Sequence, residues 1–210
     1  MSTRDAHDPV RATPQAGKPR LAVLVSGGGR SLENLQAEIA RGALAAEIAV
    51  VISDRAGCGA LERCARLGIP AQVVLYKELG PDAFAARVFA ELESQRVELC
   101  VLAGFLRLVK VPEAWRRRVI NIHPALLPAF GGKGYYGERV HAAVLAAGVR
   151  ESGCTVHFVD EQYDHGAPIL QRRVPVLPDD DVHTLAARVF EAEQLALPEA
   201  IRQILGARTR

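Results

Sequence analysis

The segment Asn121-Ile122-His123-Pro124 and the downstream Asp164 supply an amide, an imidazole and a carboxylate. An Asn amide is a neutral hydrogen-bond donor for a developing oxyanion, a His ring changes charge near neutral pH, and an Asp orients such a ring or moves protons. The combination suits acyl transfer. Asn121 and Asp164 lie 43 residues apart (164 − 121), so they share a site only if the fold returns the chain to the same place. Taken singly, each has a plainer reading: a structural His before a proline, and an Asx-type turn in a polar loop.

A second signal is the turn Ser26-Gly27-Gly28-Gly29-Arg30-Ser31, which follows an apolar run and precedes a helical pattern. Glycines let the backbone approach a ligand closely, and a helix start presents free N–H groups and a positive dipole end to an anion. Gly27, Gly28, Gly29, Arg30 and Ser31 are therefore candidate phosphate ligands. Leu32 stands where the dinucleotide fingerprint needs a third glycine, and no GK[ST] follows, so a monophosphate fits better than a dinucleotide or a P-loop nucleotide. Arg30 in particular offers a guanidinium for a bidentate phosphate contact. The alternative is a tight strand-to-helix turn with no ligand.

Positioning these groups requires an alternation of strands and helices. Apolar runs at 21–25, 48–52, 71–75, 99–103 and 119–122 alternate with helical patterns at 32–41, 60–67 and 82–95 and a short basic helix near 112–117. Unbroken apolar strands joined by helical crossovers predict an α/β fold, a doubly wound, mostly parallel, Rossmann-like sheet with helices on both faces. Ligands in such sheets gather at the carboxyl ends of the strands. Asn121 and His123 stand at such an end, on one side by alternation, with Ile122 on the other. A glycine-rich connection at 130–137 then reads as a functional loop. After it come a helix at 138–147, two strands at 152–159 and 167–176, and a closing helix at 181–205 capped by Asp180 or Asp181.

Of the 210 residues, 49% are hydrophobic, and 26 Lys and Arg face 24 Asp and Glu, for a net charge of +2. This balance points to neither a nucleic-acid nor an acidic-membrane partner. Cys58, Cys64, Cys100 and Cys154 show no metal spacing and read as reduced, structural thiols, so no metal is implied. Residues 1–19 mix Arg, Asp, Pro and Gly without an apolar stretch. They read as a flexible tail, not a signal peptide or membrane span, leaving one domain over 20–206 and a cytoplasmic location. The oligomeric state stays open.

Several motifs together resemble the folate-dependent formyltransferases, in the order and approximate spacing of the phosphoribosylglycinamide formyltransferases. They are SGGG after the first strand, LAGFLRLV at 102–109, NIHPALLP at 121–128, HFVDEQYDHGAPILQ at 157–171 and ARVFEAEQLALP at 187–198. The resemblance covers nearly all of 20–205. It implies that the substrates are small molecules, with 10-formyltetrahydrofolate as co-substrate and glycinamide ribonucleotide as acceptor, in purine synthesis. It carries Asn121, His123 and Asp164 over as the catalytic set, with a charged His123, and gives the 5′-phosphate to the glycine turn. Glu193 then meets the glycinamide end. Folate falls to Phe105, Leu106, Arg107, Leu108 and Val109, partly through their backbone, and to the turn at 160–164 with Asp160 and Tyr163. Without the resemblance, Arg107 and Glu193 are ordinary surface charges.

The chain departs from that pattern in places. Arg30-Ser31 replaces the usual Ser-Asn, Gln194 follows Glu193 where a His is common, FGGKGYYG is an unusual loop, and Pro81 stands near an expected basic folate contact. Formyltetrahydrofolate hydrolase shares the catalytic set but normally carries an N-terminal regulatory domain, and methionyl-tRNA formyltransferase carries an added C-terminal domain. A folate- or nucleotide-binding relative without turnover is a further alternative.

Overall fold

A computed structural model describes residues 17–208; residues 1–16 of the expected tail lie outside the described residues. Pro19 already joins the sheet, its carbonyl accepting the Glu47 N–H at 2.9 Å. The elements run β1 (Arg20–Val25), α1 (Arg30–Ala40), β2 (Glu47–Ser53), α2 (Gly59–Leu67), β3 (Ala71–Val73), α3 (Tyr76–Ser94) and β4 (Leu99–Leu102). A short 3-10 turn at Glu113–Trp115 leads to β5 (Val119–His123), α4 (Glu138–Ala146), β6 (Glu151–Phe158), β7 (Pro168–Pro175) and α5 (Val182–Arg208).

Among the described residues, seven strands form one sheet in the order β3-β2-β1-β4-β5-β6-β7. The first five are parallel, while β6 and β7 are antiparallel additions at the β5 edge. Alternating strand residues feed two cores. Leu21, Val23 and Val25 pack with Leu32 and Leu35 of α1 and with Leu185, Val189 and Leu197 of α5, whereas Ala22 and Leu24 pack with Phe84, Val88 and Leu92 of α3. Strands buried on both faces need the continuous apolar runs seen in the sequence.

Two expectations shift. The helix expected at 82–95 gains a preceding turn from Tyr76, interrupted at Gly80, which is left-handed (φ 73°) immediately before Pro81; a residue before proline is disfavoured in the α region. The expected short basic helix is a single 3-10 turn whose Trp115 is buried. The closing helix starts with reciprocal capping: Asp181 Oδ1 accepts the Thr184 N–H at 2.7 Å and Thr184 Oγ1 accepts the Asp181 N–H at 2.9 Å. No helix among the described residues is long and apolar enough to cross a membrane.

The sheet order makes the site. β1 and β4 are neighbours although β2 and β3 separate them in sequence, so the crossovers leave in opposite directions between them and open a crevice at their carboxyl ends. Ser26 stitches the two ends together: its N–H donates to the Gly104 carbonyl at 3.1 Å and its Oγ accepts the Leu106 N–H at 3.0 Å.

Candidate active site

A cleft of about 900 Å³ opens over the carboxyl ends of β1, β4 and β5. Its lining includes Gly27, Gly28, Gly29, Arg30 and Ser31 at one end, Asn121, His123 and Asp164 in the middle, and Glu193 on α5. The chain does return as the chemistry requires.

At the glycine turn, Gly29 takes a left-handed conformation (φ 78°), and a Cβ there would stand 2.8 Å from Cα and Cβ of Ala60. The first bond of α1 runs from the Glu33 N–H to the Gly29 carbonyl at 3.0 Å, so the N–H groups of Arg30, Ser31 and Leu32 precede the helical ladder. The Arg30 guanidinium lies over the Phe190 ring, 4.0 Å from its centroid. Glu193 is one turn further along α5 in the same wall. Burial pushes its carboxyl up to about 8, against the pull of the Arg30 charge.

His123 is buried, and both of its ring nitrogens face acceptors. Nε2 lies 2.8 Å from the Phe130 carbonyl, and Nδ1 lies 3.4 Å from Asp164 Oδ2. The first is a hydrogen bond that places the proton on Nε2; the second is too long for a strong one. Burial lowers the His123 pKa below 6.5, outweighing the Asp164 charge and the Phe130 carbonyl, which raise it. The sequence reading expects a charged His123. Burial opposes that charge while the Asp164 carboxylate supports it, and the ring is held with Nδ1 toward the carboxylate.

Asp164 is held from several sides. The Gly132 N–H donates to Oδ2 at 3.0 Å, and Asn121 Nδ2 donates to Oδ1 at 3.3 Å. Burial pushes its carboxyl up, but the neighbouring His157 and His123 rings and the Gly132 N–H outweigh that and leave it below 3.8. The glycine-rich connection therefore serves the site through its backbone: the Phe130 carbonyl holds His123 and the Gly132 N–H holds Asp164. Behind it, Thr155 donates to the Ala125 carbonyl at 2.7 Å and accepts the Leu127 N–H at 3.0 Å, pinning the segment after His123 to β6.

Two residues that the sequence reading missed belong here. His157, the cross-strand partner of Asn121 in the β5–β6 ladder, accepts the second Asn121 amide hydrogen on Nε2 at 3.1 Å. Its signal was the antiparallel register, which a sequence does not display. His141 of α4 lines the cleft, is buried, and has an Nδ1 without a hydrogen-bond partner among the described residues; burial first, and then the nearby His123, lowers its pKa.

The folate set divides. Phe105, Leu106 and Tyr163 line the cleft. The Val109 side chain is buried in the α3-side core, so only its backbone remains available. Arg107 is not in the lining: its Nε donates to the buried Asp54 at 2.8 Å, and its guanidinium lies 5.0 Å from the Tyr76 ring centroid. Asp160 pairs with His165 at 2.7 Å and accepts the Gln162 N–H at 2.9 Å, outside the lining. Leu108 also lies outside it, with its N–H donated to the Tyr163 hydroxyl at 3.1 Å.

Residues 19–201 match the formyl transferase family. The chain belongs to that family. Among formyl transferase relatives, the chloroplastic phosphoribosylglycinamide formyltransferase of Vigna unguiculata is 40% identical over 200 residues, covering 93% of this chain and 64% of the relative. The trifunctional purine biosynthetic protein adenosine-3 of Gallus gallus is 42% identical over 201 residues, 94% of this chain but 20% of that protein. The chain thus spans less than two thirds of either relative. The crystal structure of glycinamide ribonucleotide transformylase 1 from Symbiobacterium toebii superposes with a TM-score of 0.84 at 39% identity, over 95% of this chain and 94% of that one.

Proposed function

We propose that this formyl transferase moves a formyl group from 10-formyltetrahydrofolate to the amine of glycinamide ribonucleotide, a step of purine biosynthesis. One observation carries the reading: a single cleft holds both an anion-seeking helix start at Gly27–Ser31 and the Asn121, His123 and Asp164 set. That arrangement suits a phosphorylated acceptor whose amine reaches an acyl-transfer centre. The names of the relatives point the same way.

In the proposed reaction the neutral amine attacks the formyl carbon, and the carbonyl electron pair moves onto oxygen. An Asn121 N–H stabilises that oxygen, taking it in place of the longer contact to Asp164. His123, neutral beforehand, takes up the ammonium proton, and the adjacent Asp164 stabilises the imidazolium. Collapse breaks the bond to the folate nitrogen, which receives the proton. No covalent enzyme intermediate is required. Phe105, Leu106 and Tyr163 are assigned to folate. The phosphate is assigned to the turn, and the glycinamide end to Glu193. The four cysteines, unpaired and buried, suit a reducing compartment such as the cytoplasm.

The test is acceptor dependence. Deformylation of 10-formyltetrahydrofolate should require glycinamide ribonucleotide and yield the formylated product. Equal rates with and without the acceptor would instead identify a hydrolase, and binding of both ligands without turnover a non-catalytic relative.

A further inference from the structure

The turn from Val159 to Ala167, between β6 and β7, carries Asp164 in a left-handed conformation (φ 55°). A non-glycine residue keeps such a conformation only where its surroundings over-determine it. On the inner side the turn is fixed by Asp164 itself, through Asn121 and Gly132, and at its start by the Val159 N–H donated to the Val119 carbonyl at 3.0 Å. Asp160 ties the turn only to itself, through Gln162 and His165. The residue immediately before Asp164 reaches the opposite way. The Tyr163 hydroxyl accepts the Leu108 N–H at 3.1 Å, across a sequence separation of 55 residues.

We propose that Tyr163 is a positioning residue: by accepting the Leu108 N–H it straps the β6–β7 turn to the segment after β4 and holds Asp164 against His123. An apolar residue at 163 has nothing to offer that N–H, which would turn to water, leaving Asp164 tethered from one side. Tyr163 also lines the cleft and is 37% exposed, so water competes for the bond and its loss should be felt as a graded effect. The turnover arm of the test rests on the formyl-transfer reading; the titration arm does not.

The variant is Tyr163→Phe, which removes only the hydroxyl. In the ligand-free protein, NMR titration of His123 reports the distance to Asp164, whose charge raises the His123 pKa; His157, which lowers it, and His141 also face that ring. The expected result is a lower His123 pKa, faster exchange of the Leu108 amide, and kcat reduced about two- to tenfold, the size of one solvent-competed hydrogen bond, a fall in kcat larger than any rise in the folate KM, since the ring that meets folate remains. An unchanged His123 titration and Leu108 exchange would overturn the strap. So would a raised folate KM with unchanged titration, which would make Tyr163 a direct folate contact only. If the unaltered protein transfers no formyl group, the functional reading fails, while the titration still decides the role of Tyr163.

Discussion

His157 Nε2 accepts the Asn121 amide N–H at 3.1 Å, while its Nδ1 stands 2.8 Å from the Phe158 carbonyl. The carbonyl requires the proton on Nδ1, which leaves Nε2 free to accept, so the neutral tautomer fixes the plane of the Asn121 amide. His157→Phe keeps the ring volume and removes the acceptor. Losing an oxyanion donor outright, as in Asn121→Ala, costs about a hundred- to a thousandfold in kcat. A donor left in place but unoriented should cost less, about tenfold to a hundredfold. Steady-state kinetics should show this fall in kcat with both KM values nearly unchanged; a kcat equal to that of the unaltered protein would make His157 a purely structural residue.

Glu193 gives the fold a pH dependence of its own. Burial raises its carboxyl from 4.5 to about 8, so the folded state binds this proton more tightly than the unfolded state. The stability that the protonated group contributes is fully present below 4.5 and is lost as pH rises through 8. Glu193→Gln carries no titrating proton there. Thermal melts between about pH 5 and pH 8 should therefore show the variant gaining on the unaltered protein with rising pH, by at most about 1.4 kcal/mol per pH unit. A constant difference across that window would mean that Glu193 is ionised throughout.

Much of the geometry of this candidate site is legible in the sequence. Asn121 and His123 announce themselves because parallel strands buried on both faces are continuous apolar runs, and β5 visibly ends in polar residues. The glycine turn is legible because only glycine tolerates Ala60 so close to Gly29. What stayed hidden depends on register or on backbone atoms. His157 matters through its cross-strand position opposite Asn121, and Phe130 and Gly132 act through a carbonyl and an N–H that every residue possesses. Arg107 was named through the resemblance alone, and its ion pair with the buried Asp54 at the end of β2, 53 residues away in sequence, is a tertiary contact that a sequence does not display.

Arg30 is poised for an anion, with no side-chain hydrogen bond or ion pair among the described residues. Its guanidinium rests on the Phe190 ring at 4.0 Å, which leaves its in-plane N–H groups free to meet a phosphate. Arg30→Ala should raise the KM for the ribonucleotide about tenfold or more, the size of a charge-assisted contact, and more at low salt. The folate KM should hardly move. Phe190→Ala should reproduce part of the effect, about two- to fivefold, by removing the platform. If Arg30→Ala leaves the ribonucleotide KM unchanged, or weakens both substrates equally, Arg30 has no part in the phosphate site.

Gly131 links the two backbone groups that hold the catalytic pair, standing between Phe130, whose carbonyl accepts the His123 N–H, and Gly132, whose N–H donates to Asp164. A Cβ at 131 would collide with Leu127 Cδ2 and come within 3.2 Å of Asp164 Cβ. Leu127 Cδ2 is the far end of a flexible side chain and can swing aside. Asp164 Cβ cannot move without dragging the carboxylate off Gly132 and His123. Gly131→Ala should therefore lose only about 1 kcal/mol of stability, at the low end for an overpacked site, yet lower kcat about tenfold or more, since small misplacements of catalytic groups are costly. Melting curves and kcat measured on the same preparation separate the two effects. A kcat per folded molecule that equals the unaltered protein's would show that Leu127 absorbs the methyl alone and that the loop does not position Asp164.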